Sequence, residues 1–348
     1  MRIDPDYGKL RYSGRIDFTD KKAPVMVFPC SYIAFRFTGN RLRVMVENKH
    51  AYWENYIGYI LDGVQHSVHL EKQGKQTLNI EVGSTANGVH EFMLFKRMDA
   101  CHHLVILGFE VADGAEFLDP PSAKDRRIEV YGDSVSAGEV SEAVDYVGKE
   151  DPEHNGEYSN SWYSYAWMTA RRLGAELHDI AQGGIALLDH TGWFAAPEYI
   201  GMEQVYDKIT YNPELGDCRL WDFSAYTPHV VVIAIGQNDN HPDDYMAVDP
   251  GGARAQYWKN HYEQFVRAIR EKYKNTTIIL ATTILQHDAH WDEAIDEVCK
   301  KIDDPKVHHF LYSNNGRGTP GHIRIPEAEQ MAQELSDFIE SLGEDIWE

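Results

Sequence analysis

The sequence predicts two parts: an antiparallel β-sandwich, then an α/β domain built on a parallel sheet. Three observations carry this. Apolar residues recur at every second position up to about residue 115, two prolines and a charged run interrupt that pattern, and short apolar runs then alternate with helix-period segments.

In the first part the alternation runs through Ile33, Phe35 and Phe37, then Leu42, Val44 and Val46, then Leu78, Ile80 and Val82, then Val105, Leu107, Phe109 and Val111. Gly39-Asn40, Asp62-Gly63, Gly74 and Asn87-Gly88 supply turns between them, so the segment reads as about eight strands, each with one wet face. The break falls at Leu118-Asp119-Pro120-Pro121-Ser122-Ala123-Lys124-Asp125. It divides the chain into a sandwich over residues 1–119, a short connection over 120–125 and a second domain over 126–348.

Past the break, strands are expected at Ile128–Tyr131, Leu177–Ala181, Val230–Ile235, Thr277–Thr282 and Val307–Leu311, with helices between them. Trp258, Tyr262, Phe265 and Ile269 form one helical stripe, and Met331, Leu335, Phe338 and Leu342 another, both read as core. Ser159-Asn160-Ser161 is placed as the cap of a further helix that Gly174 ends.

A length of 348 residues and a hydrophobic fraction of 43% suffice for two packed cores. The formal net charge of −22 argues against nucleic acid or an anionic membrane as partner and favours a neutral or cationic substrate. Cys30, Cys101, Cys218 and Cys299 lie far apart, which suits reduced structural thiols better than a zinc site or a disulfide framework. The N-terminal MRIDPDYGKL lacks a basic run followed by an apolar stretch, so the expectation is a cytoplasmic protein, or a secreted one whose leader was removed.

Ligands of a doubly wound sheet sit beyond the carboxyl ends of its strands, which makes the loops after each strand the places to look. After the first stands Gly132-Asp133-Ser134, where Ser134 is the candidate nucleophile. A serine hydroxyl needs an imidazole within hydrogen-bond reach to take its proton. Gln182-Gly183-Gly184-Ile185 follows the second strand and Gly236-Gln237-Asn238-Asp239 the third. The Ser134 N–H, the Gly184 N–H and the Asn238 amide could thus converge on an oxyanion, each such donor being worth roughly 3–4 kcal/mol to acyl transfer. His322, in the loop before the last helix, is the candidate base. His287 and His290 have a spacing that could hold a metal on a helix, but no acidic or cysteine partner completes a motif, and the expectation is no metal there.

Ser134, Gly184, Asn238 and His322 together resemble the four blocks of the SGNH hydrolases. With a sandwich placed first, the whole chain is similar to carbohydrate esterase family two. The resemblance implies a flavodoxin-like hydrolase domain behind a jelly-roll-like one, and an esterase that removes acetyl groups from xylan, mannan or related glycans without metal or organic cofactor. The family's usual Ser-Gly pair overlays Gly183-Gly184, which selects Gly184. Most SGNH enzymes carry an Asp three residues before the histidine, but Thr319 stands here. The resemblance therefore implies a Ser–His dyad with a backbone carbonyl in the Asp's role, Asp288 being a remote alternative. Ile323 also replaces the usual proline after the histidine.

Trp193, Tyr158 and Trp291 are candidate stacking platforms for sugar rings, and Asp239 with the acidic stretch to Asp244 a candidate pocket rim. The rival readings are a thioesterase or lipid esterase with the same machinery, and a glycan-binding protein with an inert hydrolase half. Oligomeric state is not legible.

Overall fold

The computed structural model describes residues 1–70 and 73–348. Up to Leu118 the chain forms two antiparallel sheets packed face to face. Among the described residues, seven strands of seven to ten residues carry them, from Tyr32–Thr38 to His102–Val111, and five strands of two or three residues extend their edges, which is why the count exceeds the eight or so expected. Leu42, Val44 and Val46 point inward from Arg41–His50 and meet Ile33, Phe35 and Phe37 in one core.

The Tyr32–Thr38 strand departs from the expected single wet face, being largely buried on both sides. The sheet's outer residues Tyr32, Ala34 and Phe95 pack on Trp167 and neighbours of the second domain. Polar groups fix the same seam: Tyr32 Oη and Ser13 Oγ donate to Glu176 Oε2 at 2.6 and 2.8 Å. Arg15, fully buried, reaches Glu129 Oε2 at 3.4 Å and donates to the Tyr206 carbonyl at 2.6 Å. The connecting segment is itself tied down, Lys124 N–H bonding Glu176 Oε1 at 3.2 Å.

From Arg126 onward a five-stranded parallel sheet has the spatial order Ala175–Ala181, Arg126–Gly132, Val230–Ala234, Thr277–Ala281, Val307–His309. This second-first-third-fourth-fifth order is flavodoxin-like and puts its switch point between the Arg126–Gly132 and Val230–Ala234 strands. Alternate residues serve opposite faces: Val230 and Val232 meet the Tyr165–Arg172 and Ile325–Ser341 helices, Val231 and Ile233 the Ala253–Lys272 and His290–Ile302 helices. The expected stripes are where those cores need them. The expected cap is displaced: Asn160 caps a 3-10 turn, and Ser164 caps the helix by accepting the Trp167 N–H at 3.2 Å.

All four cysteines are unpaired. No helix among the described residues is long and apolar enough to cross a membrane.

Candidate active site

Ser134 leaves the Arg126–Gly132 strand directly into the four-residue Ser134–Ala137 helix, which sets its side chain at the switch point of the sheet. Asp133 caps that helix, accepting the Val135 N–H at 2.9 Å. Among the described residues the Ser134 hydroxyl has no hydrogen-bond partner.

The two glycines of the loop after Ala175–Ala181 differ in what their N–H groups meet. Gly183 donates its N–H to Asp99 Oδ2 at 2.6 Å, whereas the Gly184 N–H has no partner among the described residues. Gly184 lines the cleft with φ 71°, a conformation that favours glycine. Asn238, in the turn after Val230–Ala234, also lines the cleft. Its amide donates to Asp133 Oδ2 at 3.2 Å and to the Ile185 carbonyl at 3.0 Å, stitching the three loops together. Both amide hydrogens are committed in this state, so service to an oxyanion requires one to be released.

His322 is held by a carboxylate, which corrects the expectation of a backbone carbonyl. Asp151 Oδ2 lies 2.7 Å from His322 Nδ1, and Asp151 Oδ1 accepts the His322 N–H at 3.0 Å and Arg324 Nη2 at 2.8 Å. Asp288 instead bonds His290 Nδ1 at 2.7 Å. Asp151 arrives from the long loop after the nucleophile, a position no local spacing announces. Thr319, where the acid was sought, fastens that loop: its hydroxyl accepts the Gly148 N–H at 2.8 Å and donates to Glu327 Oε1 at 2.8 Å. Gly321, at φ 75°, makes room, since a Cβ there would lie 2.6 Å from Asp151 Oδ1. With Asp151 on Nδ1, Nε2 is the ring nitrogen turned to the cleft, and the nearest carboxylate to it is Glu139 Oε2 at 3.9 Å.

Charge in the site follows from burial and these partners. Burial disfavours the imidazolium, but Glu139, Asp151 and Asp133 together outweigh it and hold the His322 pKa above its ordinary value. Burial also works against the Asp151 carboxylate, yet the hydrogen bonds from His322 and Arg324 keep it well below the usual carboxylate range. Burial raises Asp133 to about 6 and Glu139 to about 7, in both cases against the pull of His322.

The cleft over these residues has a volume of about 790 Å³. Trp193 is 60% exposed there, its ring stacked on His241 with centroids 3.5 Å apart. Tyr52 and Trp53, which the sequence reading missed because they sit between two strands of the sandwich, also line it, so the first domain supplies part of the wall. Glu139, Glu150 and Glu214 line it as well, and no lysine or arginine does among the described residues.

The other proposed contacts are corrected. Trp291 is fully buried between Tyr245 and Trp258 as part of the core. Asp239 is not a rim residue: it is buried and accepts the Leu187 and Leu188 N–H groups at 2.8 and 3.1 Å, clamping the second loop to the third. Tyr158 lies outside the cleft lining, its carbonyl accepting the Glu142 N–H. His287 and His290 go separate ways, His287 Nε2 lying 3.0 Å from Asp292, and no cluster of metal-ligating side chains occurs among the described residues.

Residues 12–121 match the family model described as Carbohydrate esterase 2 N-terminal, and residues 130–310 that of the GDSL-like Lipase/Acylhydrolase family. The Cellulase/esterase CelE of Acetivibrio thermocellus is 27% identical over 97% of this chain, which spans only 40% of that protein's length. An acetylxylan esterase / glucomannan deacetylase of Cellvibrio japonicus is 26% identical, covering 94% of this chain and 87% of its own. The solved structure of a family two carbohydrate esterase from Clostridium thermocellum in complex with cellohexaose is 26% identical, with a TM-score of 0.79 and coverage of 96% and 98%.

Proposed function

Because the chain belongs to the GDSL-like lipase/acylhydrolase family, we propose that it is a serine esterase that removes acetyl groups from carbohydrate. The carrying observation is that Ser134 and His322 line one cleft, with Asp151 bonded to the histidine nitrogen turned away from it.

In this reading His322 Nε2 takes the Ser134 proton as Oγ attacks the ester carbonyl, and Asp151 stabilises the imidazolium that results. The Ser134 and Gly184 N–H groups, joined by Asn238, hold the tetrahedral oxyanion. The imidazolium gives its proton to the departing sugar oxygen. A water deprotonated by the same nitrogen then attacks the acyl-enzyme, and collapse releases acetate and returns the proton to Ser134. These residues complete the cycle with no redox step.

Carbohydrate as substrate is supported by the similarity to an acetylxylan esterase / glucomannan deacetylase, and by Trp193, Tyr52 and Trp53, whose aromatic faces suit pyranose rings. A lining with three glutamates and, among the described residues, no lysine or arginine favours neutral glycans over acidic ones.

The test is acetate release from acetylated xylo- and manno-oligosaccharides by wild type, Ser134→Ala and His322→Ala, beside a medium-chain acyl thioester. Release by wild type, lost in both variants, is the expected result. Cleavage of the thioester alone would remove the carbohydrate assignment and leave the acyl-transfer chemistry.

A further inference from the structure

Glu139 lines the cleft but has no part in the steps above. Its N–H is donated to the Ser134 carbonyl at 2.9 Å, so its backbone is fixed to the nucleophile turn. The carboxyl lies between His322 and the glycine loop: Oε2 is 3.9 Å from His322 Nε2, and a Cβ on Gly183 would meet the same oxygen at 2.8 Å. The side chain is only 14% exposed, and its carboxyl accepts no hydrogen bond from the protein among the described residues. A carboxylate largely withdrawn from water and without a donor is costly to keep, and a bound ligand carrying a donor relieves that cost.

Where that donor must sit follows from the chemistry at Nε2. The sugar oxygen that departs has to lie within hydrogen-bond reach of Nε2 to receive its proton. A group that reaches both this region and Glu139 Oε2 is attached next to the departing oxygen. On a pyranose ring it is the hydroxyl on the neighbouring carbon, since adjacent ring oxygens are about one hydrogen-bond length apart.

We infer that Glu139 is a specificity residue that accepts a hydrogen bond from the free hydroxyl adjacent to the scissile acetyl, so that rings acetylated at one of two neighbouring positions are preferred over rings acetylated at both. The inference rests on the carbohydrate esterase reading. A second acetyl removes the donor and sets oxygens that only accept against a carboxylate, so it is rejected by repulsion as well as by size.

The test measures kcat/KM at about pH 8, where Glu139 is mainly ionised. Each monoacetylated methyl xyloside is compared with the counterpart lacking the adjacent hydroxyl, using wild type, Glu139→Ala and Glu139→Gln. Wild type is expected to favour the hydroxyl-bearing substrate by at least about tenfold, the size of one hydrogen bond to a charged group. The ratio falls towards one in Glu139→Ala and is intermediate in Glu139→Gln, whose amide oxygen still accepts. A purely structural role would slow both substrates equally and keep the ratio, so the same ratio in all three proteins overturns the inference alone. Wild type that cleaves phenyl acetate but neither an acetylated xyloside nor an acetylated mannoside overturns the carbohydrate reading and this inference with it.

Discussion

Asp151 Oδ2 stands 2.7 Å from His322 Nδ1, although the two residues lie at opposite ends of the hydrolase domain's sequence. Thr319 and Arg324, either side of the histidine, hold the Asp151 loop in place by bonding Gly148 and Asp151 itself.

Asp151→Asn is therefore expected to lower kcat by about 10⁴-fold, the size of loss seen where a catalytic histidine loses its orienting acid. The pH profile moves too. His322 acts as base only when neutral, so kcat/KM rises with pH through its pKa, which Glu139 and Asp151 hold above the ordinary value. Removing one of those charges lowers that pKa, and the acid limb shifts to lower pH. A limb that stays in place would show that Asp151 is not felt by the catalytic imidazole.

Asn238→Ala should cost about 10²- to 10³-fold in kcat with a smaller change in KM, as expected of a donor to an oxyanion. Because the amide also bonds Asp133 and the Ile185 carbonyl, thermal unfolding must be measured alongside. A loss of stability with kcat intact would reduce Asn238 to a loop tie.

Trp193 and Trp291 separate binding from packing. Trp193→Ala is expected to raise KM for acetylated oligosaccharides while leaving the melting temperature nearly unchanged, since the ring is mainly exposed. Trp291→Ala opens a void in the core and is expected to cost about 3–5 kcal/mol of stability. Equal effects on melting would show that the Trp193 loop is structural.

Asp239 links stability to pH. Burial raises its pKa to about 7 against the hydrogen bonds from Leu187 and Leu188. A carboxyl whose folded pKa lies above its unfolded value contributes stability that is full below the unfolded pKa and is lost as pH rises through the folded one. Comparing melting temperatures of wild type and Asp239→Asn from about pH 4 to pH 8 should show the balance moving towards the variant as pH rises. A constant difference would mean that Asp239 is already ionised throughout.

The two-part architecture was legible because it rests on local periodicity. Leu42, Val44 and Val46 alternate as a half-buried strand must, and Trp258, Tyr262, Phe265 and Ile269 recur as a helix face must, whatever lies opposite them. That Ser134, Gly184, Asn238 and His322 would line one cleft was legible for a related reason: each sits in the loop after a recognisable strand or before a recognisable helix, and the sheet order brings those loops to one edge.

What only the tertiary structure decided is what meets across that edge. Asp151 reaches His322 through a long irregular loop, and Tyr52 and Trp53 reach the cleft from the other domain, in both cases through contacts between segments remote in sequence. The same holds for Trp291 and Asp239, which share composition and neighbourhood with true cleft residues but point into the protein. Periodicity encodes which face of an element is buried. It does not encode which distant side chain fills the space opposite, because that depends on how whole elements pack.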